Sequence, residues 1–298
     1  MKVSSALYGV IILTSIISLL CIWFFPSTQD FMDNNTTWNG IRIFCSEFNA
    51  NNIRSLDELP NLPESTTLVV IPYLRYSNEE LSRIKQFVYD GGTLLLMDDY
   101  GKGNSILTYL DLSVRFTNKP LLDPLFCYKN QRLPKIIDLT SKAMESGAYV
   151  MVLNHATTLI NTEQIEIIAR STATSFLDIN EDGIWDESEP KGPFPVVARS
   201  RFGKGTVAIV SDPSIIINSM VSRDDNYCLI RYLITDNDKQ QNILVDGSHL
   251  KKTSLDVMKT RLIDAREILS TPYPIIGIVA LLFVVVSKYT LKMGETSG

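Results

Sequence analysis

The sequence predicts an α/β protein: a mainly parallel sheet with helices on both faces, an antiparallel β-hairpin edge, and a transmembrane helix at each end. Three observations predict it. Short unbroken apolar runs, the pattern of strands covered on both sides, alternate with a stretch of helical periodicity between Ile41 and Met97. Strand-like runs joined by tight connections follow between Gln164 and Asp212. Apolar stretches stand near both termini, Leu7–Phe25 without a charge and Tyr273–Leu291 with an uncharged core at Ile275–Val286.

The first stretch is about as long as a bilayer-spanning helix requires. Trp23, Phe24 and Phe25 suit its interfacial end and Pro26 closes it. A cleaved signal peptide is the alternative, but residues 22–30 lack the small-x-small cleavage pattern. The chain therefore divides into an anchor (1–26), an α/β domain (27–250), a stalk helix (251–271), a second span (272–292) and a tail (293–298). The second span requires Lys288 to snorkel toward the headgroups; a buried core helix is its alternative. Lys2, Lys288 and Lys292 would face the cytoplasm by the positive-inside bias, placing both termini there and the domain outside the cell membrane. Asn34 and Asn35, each followed by a threonine two residues on, are overlapping glycosylation sequons that agree with this side. The positive charges are few, so the opposite orientation stays open.

Within the domain, Ile41–Cys45 reads as a first strand and Asn51–Leu59 as a short helix ending before Pro60. Thr67–Pro72 is a second strand. Ser77 is an N-cap, with Glu79 and Glu80 where the helix dipole favours negative charge. Leu81, Ile84, Phe87 and Val88 form one apolar stripe, and Gly91-Gly92 ends the helix, since glycine takes a left-handed cap without a Cβ penalty. Thr93–Met97 is a buried strand, followed by the polar loop Asp98–Asn104 and a helix over Ser105–Leu110. Residues to Leu139 are irregular, and Tyr149–Leu153 is another strand. Ile165–Ala169, Thr172–Leu177, Phe194–Arg199 and Thr206–Ser211 are strands, the last two joined at Gly203-Lys204-Gly205. Residues 214–220 and 226–234 read as helical, and Ile243–Val245 as the last strand. Ser254–Ser270 opens with the capping box Thr253-x-x-Asp256. Leu255, Met258, Leu262, Ala265 and Leu269 fall at heptad spacing over only two heptads, so this stalk packs on its own domain or on a partner helix.

With 298 residues, 45% of them hydrophobic, the chain can bury a large core; a net charge of −5 without a basic block argues against a nucleic-acid partner. Beyond Cys21, the cysteines Cys45, Cys127 and Cys228 allow at most one bridge and read as buried free thiols. The most specific motif is Asp178–Glu189, which matches the calcium-loop pattern D-x-[DN]-x-[DN]-G-x₅-E in full. Calcium takes six to eight hard oxygens; Asp178, Asn180, Asp182, Asp186 and Glu189 would offer side chains and Ile184 its carbonyl. Its flanks are strand-like, so it is no helix-loop-helix sensor, and an acidic solvated hairpin without metal is the alternative.

A second constellation follows the strand ends: Asp98, Asp99, Lys102 and Asn104; Asn154 and His155; Asp212 and Asn218; Asp246 and His249. Ligands of open α/β sheets bind at such ends, and Asp98, Asp99, Lys102, Asn104, Asp212 and Asn218 form the expected ligand set. Asp98 or Asp99 with His155 or His249 would suit general acid–base work, while turn formation is the plainer use of these residues. No Gly-x-Ser-x-Gly or Gly-x-Cys-x-Gly elbow, P-loop or dinucleotide fingerprint occurs. Two histidines and no cysteine pair at ligand spacing argue against catalytic zinc.

Residues 87–107, 192–220 and the Asp224-Asp225-Asn226 stretch together resemble the domain of unknown function 4350 family. The resemblance implies a fold similar to class I glutamine amidotransferases, membrane tethering and an archaeal-type setting. It does not imply amidotransferase activity, because the cysteine elbow is missing; residues 245–249 also depart from the family's acidic D-E-x-H pattern. The expectation is a calcium-stabilised, non-catalytic domain that binds a ligand or protein. The alternatives are a hydrolase or amidase, and a structural subunit of an envelope or transport complex associating through the stalk.

Overall fold

The computed structural model describes residues 2–234 and 242–271 and the single positions 276, 277, 279, 280 and 283. The chain forms two compact units, Thr28–Lys251 and a second made of Met1–Ser27 with Lys252–Gly298. Its helices are α1 (Lys2–Phe24), α2 (Arg42–Phe48), α3 (Asn78–Tyr89), α4 (Asn104–Tyr109), α5 (Ser141–Glu145), α6 (Asn226–Ile234) and α7 (Ser254–Leu269).

In the larger unit the main sheet comprises β1 (Asn51–Ile53), β2 (Thr66–Val70), β3 (Thr93–Met97), β4 (Asp138–Leu139), β5 (Glu166–Arg170), β6 (Pro195–Phe202), β7 (Gly205–Val210) and β8 (Asn242–Asp246). Across the sheet they lie in the order β1-β8-β2-β3-β7-β6-β5-β4. Pairings from β1 through β7 are parallel; those from β7 outward to β4 are antiparallel. The mainly parallel sheet with an antiparallel edge is therefore as the sequence predicts.

Strand alternation assigns the two faces. Val69, Leu95, Met97, Ala208, Val210 and Val245 pack with Phe44 of α2 and with Leu229, Ile230 and Leu233 of α6. Leu68, Val70, Leu94, Leu96, Val207 and Ile209 pack with Leu81, Ile84, Phe87 and Val88 of α3 and Ile106 and Leu107 of α4. Helices thus cover both faces, and each buried aliphatic side chain contributes about 1.5–3 kcal/mol. The ends of α3 follow from local chemistry. Ser77 and Glu80 form a reciprocal capping box. At the far end Gly91 sits at φ 118°, donating to Val88 O while Gly92 donates to Phe87 O, the double closure for which glycine is selected.

Several elements differ from expectation. Residues 41–45 are not a strand but the entry into α2. Ile41, Phe44, Cys45 and Phe48 all belong to the core, and that i, i+3, i+4, i+7 spacing is helical, a period a five-residue window hides. The edge strand is instead β1, within the segment expected as a helix; only Leu56–Glu58 is helical there, a 3-10 turn capped by Ser55. The expected strand Tyr149–Leu153 shortens to Met151–Val152, paired with Lys135–Ile136 outside the main sheet. Of Thr172–Leu177 only Phe176–Leu177 pairs, with Leu121–Leu122. Residues 172–175 turn instead, because the Thr172 and Thr174 hydroxyls both donate to Asp123. Residues 214–220 yield only the 3-10 turn Pro213–Ile216.

In the second unit, Leu7–Phe24 is long and apolar enough to cross a membrane, and none of its residues is buried. It is the single such helix among the described residues. α7 carries the expected Thr253–Asp256 capping box. It lies against the end of α1, with Lys259 Nζ donating to Phe25 O and the Arg266 guanidinium 5.9 Å from the Trp23 ring centroid. The expected stalk helix thus meets the first apolar helix. The expected second span and tail lie outside the described residues apart from the single positions named above.

Candidate functional site

At the carboxyl ends of the neighbouring strands β3 and β7, three carboxyls crowd together. Asp98 is buried, accepting the Gly103 N–H at 2.6 Å and the Tyr100 N–H at 2.9 Å, and so turns the chain into α4. Burial raises its carboxyl above the usual range. Asp99, the next residue, is pushed up to about 7 by burial and by the adjacent Asp98 charge. Asp212 is fully buried and accepts from Asn154 N at 2.6 Å and Ser214 N at 2.7 Å. Burial, with the Asp99 charge adding to it, pushes Asp212 up to about 8. Charge is disfavoured on these three carboxyls because desolvation outweighs the hydrogen bonds they accept.

Two adjoining hollows open over these strand ends, and Asp99, Tyr100 and His155 line both. The first, about 300 Å³, is completed by Asn118, Lys119, Arg132 and Glu181. The second, about 200 Å³, is completed by Asp30, Trp38, Tyr73 and Asn154. His155 is held at φ 60°, a left-handed conformation uncommon outside glycine and found at binding sites. Its backbone N–H donates to Arg132 O at 2.9 Å, and its Nδ1 lies 2.8 Å from Asn154 Oδ1. Burial, with the Arg132 charge, lowers its pKa, which favours the neutral imidazole. Lys102 is exposed, donates to Tyr73 O at 2.8 Å and stands over the Tyr73 and Tyr100 rings.

The remaining members of the expected ligand set act on backbone. Asn104 brackets Phe116, accepting its N–H at 2.9 Å and donating to its carbonyl at 3.0 Å. Asn218 donates to Asn35 O and Thr37 O and accepts from Ile43 N, fastening the 35–43 turn. Asn35 itself is fully buried; its amide nitrogen donates to Gln29 O and Asn39 Oδ1, which leaves it enclosed as a bracket, while Asn34 is half-buried. Cys45, Cys127 and Cys228 are free thiols as expected, but half-buried rather than buried, and partial burial pushes the Cys45 thiol up to about 12.

The second histidine lies elsewhere. His249, at the end of β8, is buried against Asp246 and covered by the Tyr76 ring. An imidazole–carboxylate pair therefore forms, but with Asp246 rather than with Asp98 or Asp99.

In the loop Asp178–Glu189, each side chain at alternating positions turns inward to a backbone N–H. Asp178 Oδ2 accepts from Gly183 N, Asn180 Oδ1 from Asp182 N, Asp182 Oδ1 from Ile184 N, and Asp186 Oδ1 from Ser188 N. Glu189 accepts from Ile179 N at 2.6 Å and from Asp186 N at 3.4 Å. Gly183 supplies the left-handed turn at φ 77°. Among the described residues no group of three or more His, Cys, Asp or Glu stands ready at metal-binding distance.

Sequence reasoning found Asp99, His155 and the loop after β3, and missed Tyr73, Tyr100, Arg132, Glu181, Trp38 and Asp30. Tyr73 and Tyr100 follow strand ends directly, a signal open to use. Glu181 lies in the Asp178–Glu189 motif at a position that motif leaves open, and Asp30, Trp38 and Arg132 arrive from distant segments with no motif to mark them.

The fold and this cleft define the class: an α/β domain with a polar, aromatic-flanked site at the carboxyl edge of a parallel sheet, preceded in sequence by an apolar helix long enough to span a bilayer. The chain belongs to the family Domain of unknown function (DUF4350), which matches residues 33–234. Among solved structures it is similar to the mmIFT52 N-terminal domain, with 13% identity and a TM-score of 0.45 over 57% of this chain and 79% of that one. It is also similar to a putative ThuA-like protein from Bacteroides uniformis, with 10% identity and a TM-score of 0.39 over 64% and 78% of the two chains. A β-galactosidase from Bacillus circulans sp. alkalophilus is similar at 14% identity and a TM-score of 0.36, over 56% of this chain and 22% of that one. Among curated proteins nothing matches.

Proposed function

We propose that this protein is a membrane-anchored binding domain that holds a polar ligand in the cleft between Asp99 and His155 and does no chemistry on it. The observation that carries this reading is that Asp99, Tyr100 and His155 line both hollows at once. Such a concave site with a few converging polar groups beside aromatic faces is the usual form of a small-ligand site. Non-catalytic binding is supported by the His155 ring, which bonds the Asn154 amide rather than a carboxylate. It is supported too by the enclosure of the Asp246–His249 pair beneath Tyr76. A hydrolase or amidase remains the second reading, because Asp99 and His155 line the same hollows.

The anchor in this reading is α1, in a cell membrane, with a second span after α7, both termini cytoplasmic and the domain outside. Its supports are the unburied apolar surface of Leu7–Phe24 and the positions of Lys2, Lys288 and Lys292. The amidotransferase-like assignment of the fold belongs to the same proposal and rests on the parallel sheet between helical layers.

The test uses the full chain in nanodiscs, equilibrated with a small-molecule extract of its host; retained compounds are identified by mass spectrometry. A compound enriched by the wild type, unchanged in mass, and lost from both Asp99→Asn and His155→Ala supports binding without chemistry. Conversion of the retained compound supports the hydrolase reading instead. Enrichment that neither substitution alters removes the cleft from the function.

A further inference from the structure

We propose that the loop Asp178–Glu189 is a calcium site and that the ion fixes one wall of the cleft. The inference stands independently of what the cleft binds. Its footing is a pair of carboxylates enclosed without a cation. Asp178 is 0% exposed and Glu189 5% exposed, and among the described residues neither forms an ion pair. Buried charges in proteins are paired or bind metal, since an uncompensated one loses its hydration for nothing in return.

Asp178 makes the deficit specific. Its Oδ2 takes the Gly183 N–H at 3.1 Å, which directs the carboxylate into the loop. Its Oδ1 is buried there with no hydrogen-bond partner at all. An oxygen in that state requires a donor or a cation. Along its sequence the loop also carries the Asn180, Asp182 and Asp186 side chains and the Ile184 carbonyl, which offer oxygen donors and no imidazole or thiolate; among the described residues its carboxylates do not yet converge. That donor set, on an adaptable loop with glycine at the sixth position, suits calcium over magnesium, which demands a tighter octahedron and retains its waters. Glu189 faces the Ile179 and Asp186 N–H groups, so ion binding includes a turn of this carboxylate from those donors to the metal.

The loop is tied to the cleft by four contacts. Lys119 Nζ donates to Ile179 O at 3.0 Å and pairs with Glu181 at 3.2 Å. Gln131 Nε2 donates to Gly183 O at 2.7 Å, and Asp178 N donates to Pro120 O at 3.0 Å. Lys119, Pro120 and Glu181 all line the larger hollow. Ordering the loop around an ion therefore orders that wall.

The test is a calcium titration of the full chain in detergent after chelation, followed by calorimetry and thermal melting. Terbium serves as a luminescent probe because Trp185 lies within the loop and sensitises its emission. The expected result is one calcium per chain, a melting temperature raised by several degrees, and terbium emission displaced by calcium chloride. Asp178→Asn and Asp182→Ala each abolish emission and the calcium-dependent shift. If Asp178→Asn does not fold, the exposed Asp182 substitution decides. A wild type that melts identically in calcium and in chelator overturns the proposal, and so does terbium emission retained in the folded variants. An equal shift with magnesium chloride overturns the calcium assignment.

Discussion

His249 Nδ1 lies 2.7 Å from Asp246 Oδ2 at the end of the last parallel strand. The Tyr76 hydroxyl donates to the same oxygen at 2.6 Å, and its ring lies on the imidazole with centroids 3.6 Å apart at 17°. On the outer side His249 Nε2 is 3.4 Å from Glu80 Oε1. One imidazole thereby joins β8 to α3 and to the segment after β2, a few residues before the chain leaves the α/β unit.

This arrangement makes stability depend on pH. Burial works against a charged ring, but the Asp246 hydrogen bond and charge, with Glu80 behind, hold His249 above its ordinary value of 6.5. For Asp246, burial is outweighed by bonds from His249, Ser248 and Tyr76 and by the imidazolium charge, so it sits below its ordinary 3.8. A raised histidine contributes fully below its unfolded pKa and loses that contribution as pH climbs through the folded value; a depressed carboxylate contributes above its unfolded pKa. The pair therefore stabilises most between pH 3.8 and 6.5 and weakens toward pH 9. Denaturant unfolding at pH 6 and pH 9 should show the loss in wild type. His249→Ala should cost about 3–5 kcal/mol at pH 6, since it leaves Asp246 buried and unpaired.

Asp99→Asn should act in the opposite sense. A carboxyl raised from 3.8 to about 7 costs stability as pH rises from the first value to the second and levels off beyond. The substitution should therefore raise the melting temperature at pH 8 by a few degrees and leave it unchanged at pH 3.5. If the cleft ligand is cationic, its affinity for wild type should rise through pH 7 and that rise should vanish in the variant.

Asn226→Ala should destabilise by about 2–3 kcal/mol, because it leaves buried backbone groups unsatisfied. The Asn226 amide donates to Val152 O and Met220 O and accepts from Val152 N, while the neighbouring Asp225 accepts from Tyr149 N and Val150 N. Urea midpoints measure the loss. The Asp224-Asp225-Asn226 stretch thus acts at Asp225 and Asn226 as a backbone bracket.

Ser77→Ala should cost about 1 kcal/mol by removing the N-terminal cap of α3, and faster amide exchange confined to the first turn of that helix should accompany it. A Gly91→Ala change adds a side chain at φ 118° with Glu64 only 3.1 Å away, and should destabilise by a similar amount.

Legibility in the sequence tracked how local each cause was. Ser77, Glu80 and Gly91 lie within a turn of the helix they bound, and each reads directly. The hairpin at Gly203-Lys204 did too. Ile41–Cys45 misled because five apolar-rich residues fit either period, and only the packing of Phe44 and Phe48 against the sheet separates them. In the ligand set, Asp99 and Asn104 both belong to the polar stretch that follows β3. One faces the cleft and the other brackets Phe116, a difference decided by a partner twelve residues on.

The sequence by itself determined the mainly parallel layer, its antiparallel edge, the ends of α3, the start of α7, the apolar first helix and the twelve-residue acidic loop, because periodicity, capping and turn chemistry act over a few neighbouring residues. Tertiary structure alone decided which polar groups meet. Asp30, Trp38, Tyr73, Asp99, Arg132, His155 and Glu181 come to adjoining hollows from segments that share no pattern, carried there by strand order and loop path. The same folding buries Asp178 and Asp212 and leaves Asp99 at the surface of the cleft, and it is burial, not residue type, that sets what each carboxyl can do.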